Sequence, residues 1–103
     1  MFETVNFQSG KVCFCSKAMD DEDILQVEYP KNYLLDLGWY GSRNGFILYI
    51  IRDREWSVPF VQYQFFKEDL AESALALAVE RIEKEIANPI LSEQLWKTEK
   101  ILL

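Results

Sequence analysis

The fold is decided by residues 33–66, YLLDLGWYGSRNGFILYIIRDREWSVPFVQYQFF, which hold most of the aromatic residues of the chain. Their composition is typical of β-strands. The sharpest turn signal is Asn44-Gly45, because a two-residue type I′ turn needs positive φ at both central positions and this dipeptide adopts it readily. The pattern predicts a hairpin turning at Asn44-Gly45, followed by a third strand from Val58 to Phe66, with Pro59 either at its start or on a sheet edge.

The predicted hairpin has two faces of nearly equal hydrophobicity. A turn at residues 44–45 pairs Tyr40 with Tyr49 and Trp39 with Ile50, and paired residues share a face. One face then carries Leu35, Leu37, Trp39, Phe46, Leu48 and Ile50; the other carries Leu34, Asp36, Tyr40, Ile47, Tyr49 and Ile51. One face can pack under a helix, and the second needs a cover or forms a binding surface.

A long amphipathic helix follows the third strand. Ala71, Leu75, Ala78, Val79, Ile82 and Ile86 recur at the spacing of one helix face. Asp69 stands at a capping-box-like distance from Glu72. Asn88-Pro89 ends this helix and suits the start of a second, short helix from Ile90 to Leu103. That C-terminal segment is expected either to pack within the chain or to bind a partner.

The N-terminal residues predict a first hairpin. Phe2 to Gln8 alternates as a half-buried strand does, Ser9-Gly10 is a turn signal, and Lys11 to Ser16 resumes the alternation. Cys13 and Cys15 lie in the second of these strands, and we expect them to be small buried apolar residues. A redox role would need a basic neighbour, for which Lys11 and Lys17 are the weak candidates.

Four consecutive carboxylates, Asp20-Asp21-Glu22-Asp23, follow the first hairpin. One interpretation is a solvated loop whose first acid caps a short helix over residues 21–26. A second is an acidic patch presented to a basic partner. A cation loop is the least favoured, because the alternating oxygen ligands and the glycine of an EF-hand are missing. Pro30 closes the segment and restricts Tyr29 to extended backbone.

Together these elements predict a single α+β domain over residues 1–103. An antiparallel sheet of about four to five strands, made of two hairpins and a return strand, carries one long helix on one face. The short C-terminal helix completes it. A chain of 103 residues of which half is apolar can bury a core without disulfides or metal.

The amino-acid composition narrows the possible classes of function. The net charge is −6, which disfavours nucleic acid as a partner because phosphate binding calls for a basic face. No apolar run approaches a membrane span, and the N-terminus lacks signal-peptide features, so we expect a cytoplasmic protein. The chain has no histidine and no phosphate-binding glycine motif. We therefore expect a binding protein without catalytic activity, cofactor or metal.

Two aromatic residues are candidate binding anchors. Trp56 lies in the polar connector Asp53-Arg54-Glu55-Trp56, where it either folds back onto the sheet or stands exposed as an anchor. Tyrosine and tryptophan are enriched among the residues that dominate binding energy. Together with the acidic run, the predicted partner-binding residues are Asp20, Asp21, Glu22, Asp23, Tyr40 and Trp56.

One pattern within residues 33–87 combines Gly45-Phe46, Tyr49, Ile51, Asp53, Trp56 and Pro59, followed by a strand and one amphipathic helix. This layout resembles small bacterial immunity proteins of polymorphic-toxin and contact-dependent growth inhibition systems. It implies a cytoplasmic protein that binds a cognate toxin, often a basic nuclease, and masks its active site or another functional surface.

Two other functions stay open. A homodimeric structural or regulatory module would use the spare sheet face or the apolar C-terminal segment as its contact. A DNA mimic is the least favoured, because Arg43, Arg52 and Arg54 leave residues 31–66 slightly basic.

Overall fold

A computed structural model describes residues 2–88 and 97–103 as one mixed sheet with a long helix, which confirms the α+β class. The sheet has six strands rather than four or five: β1 (Lys11–Cys15), β2 (Leu25–Tyr29), β3 (Tyr33–Trp39), β4 (Phe46–Arg52), β5 (Val61–Phe65) and β6 (Glu99–Leu102). They lie side by side in chain order. All neighbours are antiparallel except β5 and β6, which are parallel. The helix α1 is Ala71–Ala87.

The central hairpin forms with a different register from the predicted one. Trp39 pairs with Phe46, and the chain between them makes a longer loop in which the Gly45 amide donates to the Gly41 carbonyl at 2.7 Å. Both glycines have positive φ, so the loop turns around Gly41 as well as Gly45. The register differs by four residues. Because four is even, every side chain keeps its predicted face.

The helix covers one face of the sheet. Leu75, Ala78 and Ile82 are fully buried against strand residues such as Leu35, Leu48, Ile50 and Phe65. Burying one leucine side chain contributes about 2 kcal/mol, and the alanines allow close approach. The helix begins after a 3₁₀ turn, Glu68–Leu70, with Leu70 as its N-cap and no side-chain cap. The predicted capping role of Asp69 is therefore wrong.

The predictions of an N-terminal hairpin and of a short helix over residues 21–26 are both wrong. Residues 2–10 form turns, and β1 pairs instead with β2. Leu25, Val27 and Tyr29 alternate with more exposed residues, which is the period of a strand and not of a helix. Tyr29 has φ −123° and ψ 158°, the extended backbone that is expected before Pro30.

The prediction that Cys13 and Cys15 are buried is also wrong. Strand β1 lies at the sheet edge, all five of its residues are exposed, and both thiols are free. A bulge between Val12 and Phe14 interrupts its pairing with β2. The Cys13 thiol donates to the Gln26 carbonyl at 3.4 Å. Alternation identified the strand, but its place at the edge depends on which strands pair.

The C-terminal segment differs from the predicted helix over residues 90–103. Residues 99–102 form β6, parallel to β5, so the prediction is wrong there. Residues 89–96 lie outside the described part of the chain. A helix that returns the chain along the sheet brings the next strand in parallel to the last, and α1 stands in this position between β5 and β6. No helix of residues 2–88 or 97–103 is long and apolar enough to cross a membrane.

Candidate protein-binding face

The sheet face opposite α1, called the open face below, carries no helix from the described residues. Strand alternation places on it Gln26, Glu28, Leu34, Asp36, Ile47, Tyr49, Ile51, Gln62, Gln64 and Lys100. Most of its middle positions are buried or half-buried even so. Chain segments at the two ends of the sheet supply the rest of this surface.

The acidic run lies at one end of the open face, beside the last residues of β3. The Trp39 amide donates to the Asp21 carbonyl, and the Ile24 amide donates to the Leu37 carbonyl, both at 2.9 Å. A Cβ at position 38 would overlap the Glu22 carbonyl oxygen, so Gly38 is needed for this close approach. The run is an exposed loop, as one interpretation of the sequence had it, and not a helix cap.

Two tyrosines lie next to the acidic run. The rings of Tyr40 and Tyr49 meet edge to face, with centroids 6.3 Å apart, and both residues are half-buried. Burial raises the pKa of Tyr40 to about 12, with smaller contributions from the negative charge of Asp36 and then from Tyr49, Asp23 and Glu22. Burial and Asp36 also raise the pKa of Tyr49. The charges that act on this pair are all negative.

Asp36 on β3 is the cross-strand neighbour of Tyr49 on β4. Only 3% of its surface is exposed, although it belongs to the open face. Its Oδ2 accepts a hydrogen bond from Gln26 Nε2 at 2.7 Å. Burial raises the pKa of Asp36, the Gln26 bond partly opposes this, and the charge of Asp23 adds to it. This carboxyl group is held where its charge is costly.

Trp56 lies at the other end of the open face and is 51% exposed. It separates two depressions of about 250 and 320 Å³, each large enough for one partner side chain. Leu34 and Glu28 line the first; Tyr49 and Lys100 line the second. Ile51 lines both depressions together with Trp56, and half of the Trp56 surface is exposed.

The predicted site residues fall into two groups. Tyr40 lies with Glu22 and Asp23 at the acidic end. Trp56 lies at the opposite end, where Arg54 and Lys100 are the nearby cations. Tyr49 links the two groups, since it contacts Tyr40 and also lines a depression beside Trp56. Asp20 and Asp21 are exposed, and Asp21 accepts a hydrogen bond from the Ser16 hydroxyl.

Asp36 and Tyr49 are not among the predicted site residues. A signal for Asp36 was present, because it is the one charged residue in the apolar run Tyr33-Leu34-Leu35-Asp36-Leu37. A charge at such a position is buried by its neighbours whether or not a partner is available. Tyr49 carried no comparable signal.

Within residues 2–88 and 97–103, no three or more cysteine, aspartate or glutamate side chains are grouped so that they could hold a metal ion. Comparison with protein-family models, with curated proteins and with solved structures finds no match for this chain. The functional argument therefore depends on the open face itself.

Proposed function

We propose that this chain is a cytoplasmic, non-enzymatic binding protein that neutralises a basic protein toxin, as immunity proteins do, by docking its open face on the toxin. One observation carries the proposal: a sheet face free of any described helix, with aromatic residues along it and an acidic run at one end. The resemblance of residues 33–87 to immunity proteins points the same way.

The two groups of site residues have separate roles in this proposal. The half-exposed Trp56 between two depressions is suited to anchoring, because exposed tryptophans that become fully desolvated contribute strongly to affinity. The acidic run is suited to steering, because opposite charge on a partner speeds the first encounter. A basic toxin cleft would meet both features at once.

Co-expression tests the proposed function directly. The C-terminal domain of the reading frame upstream of this one is expressed in cells with and without the present chain, and growth is recorded. We expect growth arrest by that domain alone and recovery when this chain is present. Arrest that this chain does not relieve contradicts toxin neutralisation by it.

The Trp56→Ala variant tests whether the toxin binds to the open face. We expect Kd for the toxin to rise about 30-fold, which corresponds to about 2 kcal/mol for a hot-spot tryptophan. Leu77→Ala is the matched control, because Leu77 is similarly exposed but lies on α1, away from the open face. Isothermal titration calorimetry on both variants gives the comparison. Equal loss in the two variants, or loss in Leu77→Ala alone, contradicts docking through the open face.

A homodimer is the second candidate, and the exposed apolar side chains Phe14 and Leu102 on the edge strands favour it. Charge argues against a dimer through the open face, because a two-fold interface can bring the acidic runs of both copies together. Light scattering after size-exclusion chromatography distinguishes the homodimer from a monomeric toxin-binding protein. A stable dimer would favour the second candidate, and a monomer would remove it.

A further inference from the structure

Among residues 2–88 and 97–103, Asp36 is the buried carboxylate that has no ion pair. The other buried carboxylate, Glu85, pairs with Arg81 Nε at 3.3 Å. In the described chain Asp36 has one hydrogen-bond donor, Gln26, and no ion pair. An ionised carboxylate offers about four acceptor positions, so most of its capacity is unused by the protein.

Such a group is expensive to hold in the ionised form. Removing a carboxylate from water costs several kcal/mol unless a partner charge compensates it. The negative charge of Asp23 makes the cost larger. A cation brought to this place by another molecule would gain from a field that water screens poorly.

The aromatic residues beside Asp36 are also suited to a cation. Tyr49 is the cross-strand neighbour of Asp36, its ring meets that of Tyr40, and both tyrosines are half-buried, so part of each residue is exposed. The face of a tyrosine ring attracts cations, and guanidinium does so most often among protein groups. Arginine is favoured over lysine because its group is planar and less strongly hydrated, so it stacks on rings at lower cost.

We propose that Tyr40 and Tyr49, with the buried Asp36 beside Tyr49, form a binding site for the guanidinium group of a partner arginine. The inference deepens the proposed function, since it names the partner side chain that the acidic end of the open face recognises. Asp36 is itself buried, so its negative charge acts on the guanidinium group across the low-dielectric protein layer that separates them. The outer acids Glu22 and Asp23 add to the same negative potential.

The test uses N-acetyl-arginine amide as the probe, so it needs no toxin. The folded chain is titrated at constant ionic strength and pH 7.5, and amide and aromatic NMR shifts are followed. We expect saturable shifts centred on Tyr40 and Tyr49. The citrulline analogue, which has the same shape without the charge, should produce about tenfold weaker binding. Equal binding of the two probes, or shifts that avoid both tyrosines, overturns the proposal.

Asp36→Asn is the decisive variant, because the asparagine side chain keeps the shape and can still bond to Gln26. We expect arginine binding to weaken about tenfold while the melting temperature does not fall. Asp53→Asn is the matched control, since Asp53 is an exposed acid at the other end of the sheet. Unchanged arginine binding in Asp36→Asn contradicts the role of the buried charge.

Two further readouts keep the test informative. Tyr40→Leu preserves an apolar cover but removes one aromatic ring, so it should weaken arginine binding even if Asp36→Asn does not fold. Retention of full binding in Tyr40→Leu would contradict the aromatic platform. Arginine binding in a chain that fails to relieve toxin arrest would contradict the proposed function alone, whereas arrest relieved without arginine binding would contradict only this site.

Discussion

At the scale of single residues, the contrast between Asp36 and Glu85 is informative. Both are buried carboxyl groups, but Arg81 compensates the charge of Glu85 while no described cation compensates that of Asp36. A buried charge without a partner charge lowers stability. The fold tolerates Asp36 at a cost, as proteins often do at functional positions.

Asp36 should make stability depend on pH in a specific direction. Its pKa is raised in the folded protein, chiefly by burial, so the folded state binds the proton more tightly than the unfolded state. Stability should therefore fall as pH rises from the ordinary range of an aspartate through the raised pKa. Urea unfolding of the wild type and Asp36→Asn at several pH values gives the check.

We expect the two proteins to have similar stability near pH 3.5 and Asp36→Asn to be the more stable at pH 7. The difference between them isolates Asp36 from the other carboxyl groups, which titrate in both. A difference that is largest at low pH, or that does not change with pH, would contradict the raised pKa.

At the scale of elements, two turns meet at the Trp56 end of the sheet. Lys31 and Asn32 join β2 to β3 with positive φ, and Asp53 and Arg54 follow β4 with positive φ. The Asp53 amide donates to the Asn32 carbonyl at 2.9 Å, which ties the turns together. Left-handed backbone costs about 1 kcal/mol for most residues. The hydrogen bond between the two turns holds these residues in the left-handed conformation.

Position 54 should reverse the usual preference for alanine over glycine. Arg54 has φ 61°, which a residue with a Cβ adopts only at a cost. We expect Arg54→Gly to be more stable than Arg54→Ala by about 1 kcal/mol in urea unfolding. The control is the pair Glu55→Gly and Glu55→Ala, because φ is not positive at Glu55. There the alanine variant should be more stable than the glycine variant. Equal stabilities at position 54 would mean that the turn relaxes without cost.

At the scale of the whole molecule, the charge of −6 is unevenly placed. The acidic run is concentrated at one end of the open face, whereas Arg54 and Lys100 lie beside Trp56 at the other end. This polarity would orient a basic partner before contact, since steering acts over the Debye length of about 10 Å.

Neutralising the acidic run tests this orientation. Replacing Asp20, Asp21, Glu22 and Asp23 by their amides should lower the association rate with the toxin about tenfold at low salt and flatten its salt dependence. A control neutralises the four exposed acids Glu68, Asp69, Glu72 and Glu80 at and before α1, which changes the net charge equally. Stopped-flow kinetics separates the two. Equal slowing would show that net charge matters and that its location does not.

The sequence predicted the parts of the fold that depend on local period. Period-two alternation placed Leu35 and Tyr49 on opposite faces, and this survived a four-residue error in the hairpin register. The helical stripe through Leu75 and Ile82 correctly located α1. The hydrophobic period does not distinguish a strand from a helix when the segment is short. The residues after the acidic run alternate as a strand does, yet the acid before them also suits the start of a helix.

The α+β class, the two faces of the hairpin and the acidic balance could be read from the sequence alone. Each follows from the side chains of nearby residues, so no knowledge of distant pairing is needed. The edge position of Cys13, the parallel strand β6, the loop conformation of the acidic run and the burial of Asp36 beside Tyr49 are known only from the tertiary structure. These depend on which strands pair and which loop folds over them, and such long-range choices leave no period in the sequence.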